Sequence, residues 1–259
     1  MDIRNIIDWD SYRVTDPNFQ TACRKILQQE GALVLPGFMT ETAIEYVRRQ
    51  SEADKRHAYF CEQTHNVYLT PSDTAYPENH TRNRTVISSK GCITDDIVPE
   101  ESPLRLLYNA AEFQNFLCSV LEEKSLFPYA DPLSSINVHY AERGQELGWH
   151  FDNSSFATTL MIQAPEAGST FEYVKDMRDA DSGEMNFGGV ANVLDGKTPV
   201  EQLSMQPGAL VLFRGRNAIH RVTPNEGDRT RILVVLAYNS EPGIALSESA
   251  RMTFYGRLG

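Results

Sequence analysis

The chain has little cysteine, a deficit of positive charge and no long apolar run, and each shortage removes a class of protein. Its four cysteines, Cys23, Cys61, Cys92 and Cys118, form no CxxC pair and no regular spacing. They therefore read as reduced thiols of a cytoplasmic protein, not as a disulfide framework. Against 24 basic residues stand 35 acidic ones, a net charge of −11. Sequence-independent nucleic-acid binding needs a basic surface, so nucleic acid is not an expected partner. No apolar run approaches the ~18 residues of a membrane span. The N-terminal Met-Asp-Ile-Arg-Asn lacks the basic and apolar regions of a signal peptide. There is no internal repeat and no low-complexity segment. The 259 residues, 41% hydrophobic, fit one domain spanning 1–259.

Residues 1–125 read as helical support. Asp16-Pro17 is a helix start, with Asp as N-cap and Pro in the first turn. Ala22, Ile26 and Leu27 predict its apolar stripe, and Gly31 its stop. Ala32–Leu35 reads as a short buried strand, and Thr40 caps a second helix carrying Ile44 and Val47. Ser102-Pro103 starts a third, predicted to run to about Lys124. Residues 61–101 read as an irregular stretch, functional or disordered, and 175–204 as a second insertion, either a solvated excursion or a substrate lid.

The richest segment is His150-Phe151-Asp152, followed by His220. On a strand, residues two apart leave the same face about 6–7 Å apart, so His150 and Asp152 can reach one metal ion while Phe151 points away. Two histidines and one carboxylate are the facial triad of non-haem Fe(II), with positions left open for other ligands. The expected ligand set is His150, Asp152 and His220, which would also be the catalytic centre. HxD alone is a weak signal, but its surroundings add to it. Asn137–Tyr140 reads as a strand, Gly144 as a turn and Gly148-Trp-His150 as the next strand. Gln206-Pro-Gly precedes the apolar Leu210–Phe213, and Gly227-Asp-Arg229-Thr-Arg231 leads into Ile232–Leu236.

This order, over about 131–240, resembles the double-stranded β-helix of the Fe(II)/2-oxoglutarate-dependent oxygenases. The resemblance implies a mainly β jelly-roll (cupin-like) core with flanking helices. It also implies Fe(II) and 2-oxoglutarate as cofactors and O2 as co-substrate. In such enzymes 2-oxoglutarate chelates iron, and its far carboxylate is held by a basic residue on the strand after the second histidine. Arginine suits that task because its planar fork gives two parallel bonds to a carboxylate. Arg229 and Arg231 share strand parity, and the Gly-x-Arg spacing favours Arg229 over Arg231. Tyr140 and Thr159 are further cofactor-binding candidates, with Asn137 beside them. His139 reads as a packing residue behind the ligands, and His57, His65 and His80 as lying outside the iron site.

Four stretches narrow the resemblance: His65–Thr70, Gly148–Asp152, Phe171–Val174 and Gly215-Arg-Asn217. They resemble the free amino-acid (lysine-type) radical halogenase and hydroxylase family. Its halogenases replace the HxD carboxylate by a small residue; Asp152 places this chain on the hydroxylase branch. The implied substrate is a small free amino acid, including basic ones such as lysine. Arg82 or Arg84 would then bind its carboxylate, and Asp131, Glu142, Asn153 or Asn239 its amines. The alternatives are a carrier-bound or peptidyl substrate, and a non-catalytic metal-binding cupin-like sensor. A zinc hydrolase on the same ligands has no use for an inward arginine. The sequence does not specify the oligomeric state.

Overall fold

Apolar runs too short for helices dominate the second half of the chain, and they form strands buried on both faces. The computed structural model describes residues 2–259. In chain order its helices are α1 (Pro17–Glu30), α2 (Glu41–Asp54), α3 (Pro103–Asn109), α4 (Ala111–Leu121), α5 (Phe187–Leu194) and α6 (Glu248–Tyr255). Its strands are β1 (Ala32–Leu35), β2 (Tyr59–Asn66), β3 (Thr85–Ile93), β4 (Ile136–Ala141), β5 (Leu147–His150) and β6 (Ala157–Gln163). β7 (Phe171–Val174), β8 (Glu201–Leu203), β9 (Leu210–Phe213), β10 (Ile219–Val222) and β11 (Arg231–Leu236) complete the set.

All strand pairings are antiparallel, in the order β1-β9-β6-β11-β4-β3-β5-β10-β7-β8, with β2 on β3. β3 is the hinge between two walls. Its Gly91–Ile93 pair with β4, while Ser88 pairs with Leu147 of β5. The long wall β1-β9-β6-β11-β4 and the short wall β5-β10-β7-β8 enclose a cavity that residues of both walls line. This is the jelly-roll barrel that the resemblance implied.

Strand parity divides the long wall into two faces. Val138 and Tyr140 of β4, Leu212 of β9, and Ile232 and Val234 of β11 point outward. They pack with Leu27, Val47, Leu107, Phe113 and Phe116 of the helices. Asn137, His139, Thr159, Val211, Arg231 and Leu233 point inward and line the cavity. The outward face is sealed in hydrocarbon, so each fully buried aliphatic contributes about 1.5–3 kcal/mol.

The helix caps follow the sequence. Asp16 accepts from the Asn18 N–H, Gly31 closes α1 at φ 72°, and Thr40 accepts from Ala43. Two details differ. The α1 stripe is Cys23 and Leu27, and Ile26 is 45% exposed. The helix expected from Ser102 to Lys124 is two, broken at the extended Ala110 (φ −71°, ψ 125°). Leu104, Leu107 and Tyr108 form one stripe, and Phe113, Phe116, Leu117 and Val120 another. The second stripe is out of phase with a 3.6-residue repeat begun at Leu104. A continuous helix would turn one stripe to water, and the break lets both face the sheet.

The two stretches predicted as irregular carry structure. β2, which begins at Tyr59, and β3 form a long hairpin across most of the first stretch, and α5 and β8 lie within 175–204. Val67 and Tyr68 from the first insertion and Met177, Val190 and Val193 from the second share one apolar cluster. They close over Trp149 and Ile219, outward residues of the metal-facing strands, and over Phe151 just beyond β5. No helix among the described residues is long and apolar enough to cross a membrane.

Candidate metal centre

His150 ends β5 and His220 sits in β10, directly opposite each other in the antiparallel register. Asp152 lies just beyond β5, its backbone N–H donating to Gly215 O at 3.0 Å. The His150 Nε2 is 3.9 Å and the His220 Nε2 3.5 Å from Asp152 Oδ1. One donor atom from each of the three residues lies within 4.8 Å of the others, a spacing one ion can bridge.

The second nitrogen of each ring decides what the first can do. His150 Nδ1 donates to Gly148 O at 2.7 Å, and His220 Nδ1 to Ala218 O at 3.0 Å. A carbonyl can only accept, so Nδ1 carries the proton and Nε2 presents its lone pair to the site. Burial pushes the His150 imidazole down to about 3, with His220 adding to the effect, so it is neutral at pH 7. Burial alone would raise the Asp152 carboxyl, but His220, His150 and Arg178 outweigh it and hold it below its ordinary value. A neutral His150 and an ionised Asp152 are the states in which these two groups bind a metal.

Two glycines make the geometry possible. A Cβ on Gly215 would stand 1.9 Å from Asp152 Oδ2 and 2.6 Å from its Cγ, so any side chain there displaces the carboxylate. A Cβ on Gly148 would stand 2.5 Å from Ile87 O, where β3 and β5 approach closely. Behind the site, the Arg178 guanidinium lies 4.2 Å from the Phe151 ring centre and donates to the Asp152 carbonyl. Neither Gly215 nor Arg178 was singled out from sequence as a site residue. Their roles depend on loops that meet only in the fold.

The two candidate arginines part company. Arg231 begins β11, is 4% exposed and lines the cavity that holds the triad. Its Nε has no hydrogen-bond partner, and among the described residues no carboxylate lies within ion-pair distance of it. Burial, unopposed by any counter-charge, draws its pKa down to about 10. Arg229 precedes the strand, is half exposed and pairs with Glu166 at 3.5 Å. Of the two, Arg231 lines the cavity and Arg229, which the Gly-x-Arg spacing favoured, does not: parity carries no information beyond the end of a strand. Thr159 lines the cavity. Tyr140 does not, because on β4 it alternates with His139; its hydroxyl donates to Ser51 O at 2.7 Å on the helix side.

Four of the remaining candidates are engaged elsewhere. Arg84 pairs with Asp195, and Arg82 donates to Pro71 O. Asp131 accepts from Leu133, Ser134 and Leu246, and Glu142 pairs with Lys55. None of Arg82, Arg84, Glu142, Asn153 or Asn239 lines the metal cavity. His139 does, and its Nε2 accepts from Lys90 Nζ at 3.2 Å. His65 stands edge-on to His150 with ring centres 6.2 Å apart, nearer than sequence suggested, but outside the triad. His80 stacks on Tyr76 away from it.

The cavity measures about 320 Å³, the lower end of the range for small-molecule sites. Its donor set fits Fe(II). Its buried, unpaired Arg231 fits a carboxylate, because a buried charge without a partner is costly.

The sequence model of the Halogenase D family matches residues 16–253. No curated protein matches the chain significantly. Among solved structures, the chain resembles the non-heme alpha ketoglutarate dependent epimerase SnoN from nogalamycin biosynthesis. The TM-score is 0.59 at 13% identity, over 86% of this chain and 81% of that one. A 2OG-Fe(II) oxygenase family oxidoreductase from Burkholderia pseudomallei gives a TM-score of 0.53 at 14% identity, covering 87% and 92%. A Pseudomonas putida prolyl-4-hydroxylase gives 0.51 at 11% identity, covering 83% and 96%. Identities this low establish a shared fold.

Proposed function

The chain belongs to the Halogenase D family, and from that premise we propose that it is an Fe(II)- and 2-oxoglutarate-dependent hydroxylase of a small free amino acid. The observation that carries this reading is the buried Arg231, unpaired and in one cavity with the His150, Asp152 and His220 triad. A sensor or structural barrel has no need of a buried cation facing its metal.

When bound, Fe(II) with 2-oxoglutarate and O2 supplies the oxidising chemistry, releasing succinate and CO2 and hydroxylating a C–H bond. The chain's own residues hold and exclude. His150, His220 and Asp152 hold the ion, and the bonds to Gly148 O and Ala218 O keep both Nε2 atoms free for it. Arg231 takes the far carboxylate of 2-oxoglutarate, with Thr159 offering a hydroxyl within the same cavity. Phe171 and Phe213, whose ring centres lie 5.5 and 4.8 Å from that of His220, keep water from one flank.

Asp152 decides between outcomes. Resemblance to the halogenases would suggest chlorination, but those enzymes leave the carboxylate position to chloride. Here the carboxylate is present, ionised and given its room by Gly215, which favours hydroxylation. The test is succinate release from 2-oxoglutarate by anaerobically Fe(II)-loaded protein, exposed to O2 with each free amino acid in turn. We expect stimulation by at least one, loss of more than about 100-fold in Asp152→Ala, and a product 16 mass units heavier (about one oxygen atom). Iron binding without any turnover would sink the enzyme reading in favour of the sensor.

A further inference from the structure

Lys90 has no task in holding the metal or the far carboxylate of 2-oxoglutarate. It lies on β3 with its side chain on the cavity side, two residues before Cys92, which registers opposite His139. Its Nζ donates one hydrogen to His139 Nε2 at 3.2 Å. His139 is able to accept because burial, Lys90 and Arg231 all hold it well below its ordinary pKa. An ammonium carries three N–H groups, so two remain. Among the described residues no carboxylate stands within ion-pair distance of them, and the face of Phe254 lies 5.4 Å away.

Position separates Lys90 from Arg231. Arg231 lines only the main cavity, whereas Lys90 also lines an adjoining pocket of about 200 Å³. Leu147, His150, Asp152 and Phe254 border both, so the second pocket opens on the metal centre. Its other walls include Cys61, Gln63, His65 and Leu69. Apart from Asp152, no acidic residue lines either space. Arg82 and Arg84, the arginines that sequence offered for a substrate carboxylate, are outside both.

We propose that Lys90 anchors the carboxylate of the substrate, and that the adjoining pocket takes the rest of a small amino acid whose side chain is uncharged. This rests on the oxygenase reading, and it narrows the substrate class. The two carboxylates of 2-oxoglutarate are already served by the metal and Arg231, leaving the Lys90 ammonium for a third. A cationic side chain entering the pocket would meet Lys90 and find no acid but the metal ligand Asp152, so charge works against lysine-like substrates. Gln63 offers an amide oxygen to the α-ammonium. Lys90 is therefore a specificity-determining residue in a segment that sequence reads as irregular.

The experiment is anaerobic calorimetry on protein loaded with Fe(II) and 2-oxoglutarate. It is titrated with L-leucine, L-norvaline, L-methionine, L-lysine and L-leucinamide, and repeated on Lys90→Met and Lys90→Arg. We expect a neutral amino acid to bind, with L-lysine weaker. If the neutral acid is leucine, its amide should bind about 10–100-fold more weakly, the worth of a charge-assisted bond. Lys90→Met should bind the acid as weakly as the wild type binds the amide, with 2-oxoglutarate affinity within about twofold of wild type. Lys90→Arg should recover part of the loss, and unchanged iron uptake and melting temperature show that the variants fold.

An equal acid-to-amide ratio in wild type and Lys90→Met would overturn the assignment. So would a loss of 2-oxoglutarate affinity in place of amino-acid affinity, tighter binding of lysine than of every neutral acid, or no binding of any neutral acid. Failure of the wild type to take up Fe(II) and 2-oxoglutarate at all would instead refute the oxygenase reading.

Discussion

The two faces of the long wall are built from the same strands, one residue apart, and follow opposite rules. Outward, Ile232, Val234, Leu212 and Val138 belong to a continuous apolar core against the helices. Inward, Arg231, His139, Asn137 and Thr159 share a cavity with Lys90 and the triad. The outward face supplies the stability that the inward face spends on buried charge without counter-charge. A cavity of this kind gains its missing partners only when anions and a metal enter, which is why the molecule's costliest groups mark its site.

The comparison breaks most sharply at neighbouring residues of β11. Ile232→Ala removes part of the sealed face and should lower unfolding free energy by about 2–5 kcal/mol, read by denaturant titration. Leu233→Ala, on the cavity face, should cost clearly less, because that space already exists. Equal losses would mean that the inward face is packed like a core.

A smaller effect separates the two arginines. Arg231→Met should weaken 2-oxoglutarate binding by about 10–100-fold, and Arg229→Met by less than about twofold, with calorimetry on Fe(II)-loaded protein as the readout. The reverse order would return the anchor to Arg229.

Another effect is that of pH on metal-free protein. His150 and His139 are held neutral in the fold, well below the ordinary 6.5, but protonate freely once unfolded. The unfolded chain therefore takes up protons that the folded one refuses as pH falls below about 6.5, and stability is lost on that side. The denaturation midpoint should be lower at pH 5 than at pH 7, and His139→Gln should flatten the difference. A midpoint independent of pH would show that the cavity imposes no such cost.

The sequence alone marked strands in the apolar runs of the second half and put His150, Asp152 and His220 forward as one candidate group, while the jelly-roll arrangement came from the resemblance that the order of these segments carries. Asp152 reaches its place from just beyond β5, held there by Gly215 O. The sequence also located α1, α2 and their caps, since Asp16, Gly31 and Thr40 act on neighbours within four residues. Only the tertiary structure decided which arginine faces inward, because parity ends where β11 begins and Arg229 lies before it. Tyr140 was misplaced for the related reason that a strand buried on both faces does not announce which face is the cavity. Lys90 lies 60 positions before His150 and Gly215 lies 63 after Asp152 (150 − 90 and 215 − 152). Their meaning arises where β3, β5 and the loop before β10 meet, through contacts of a few ångströms that no local pattern encodes.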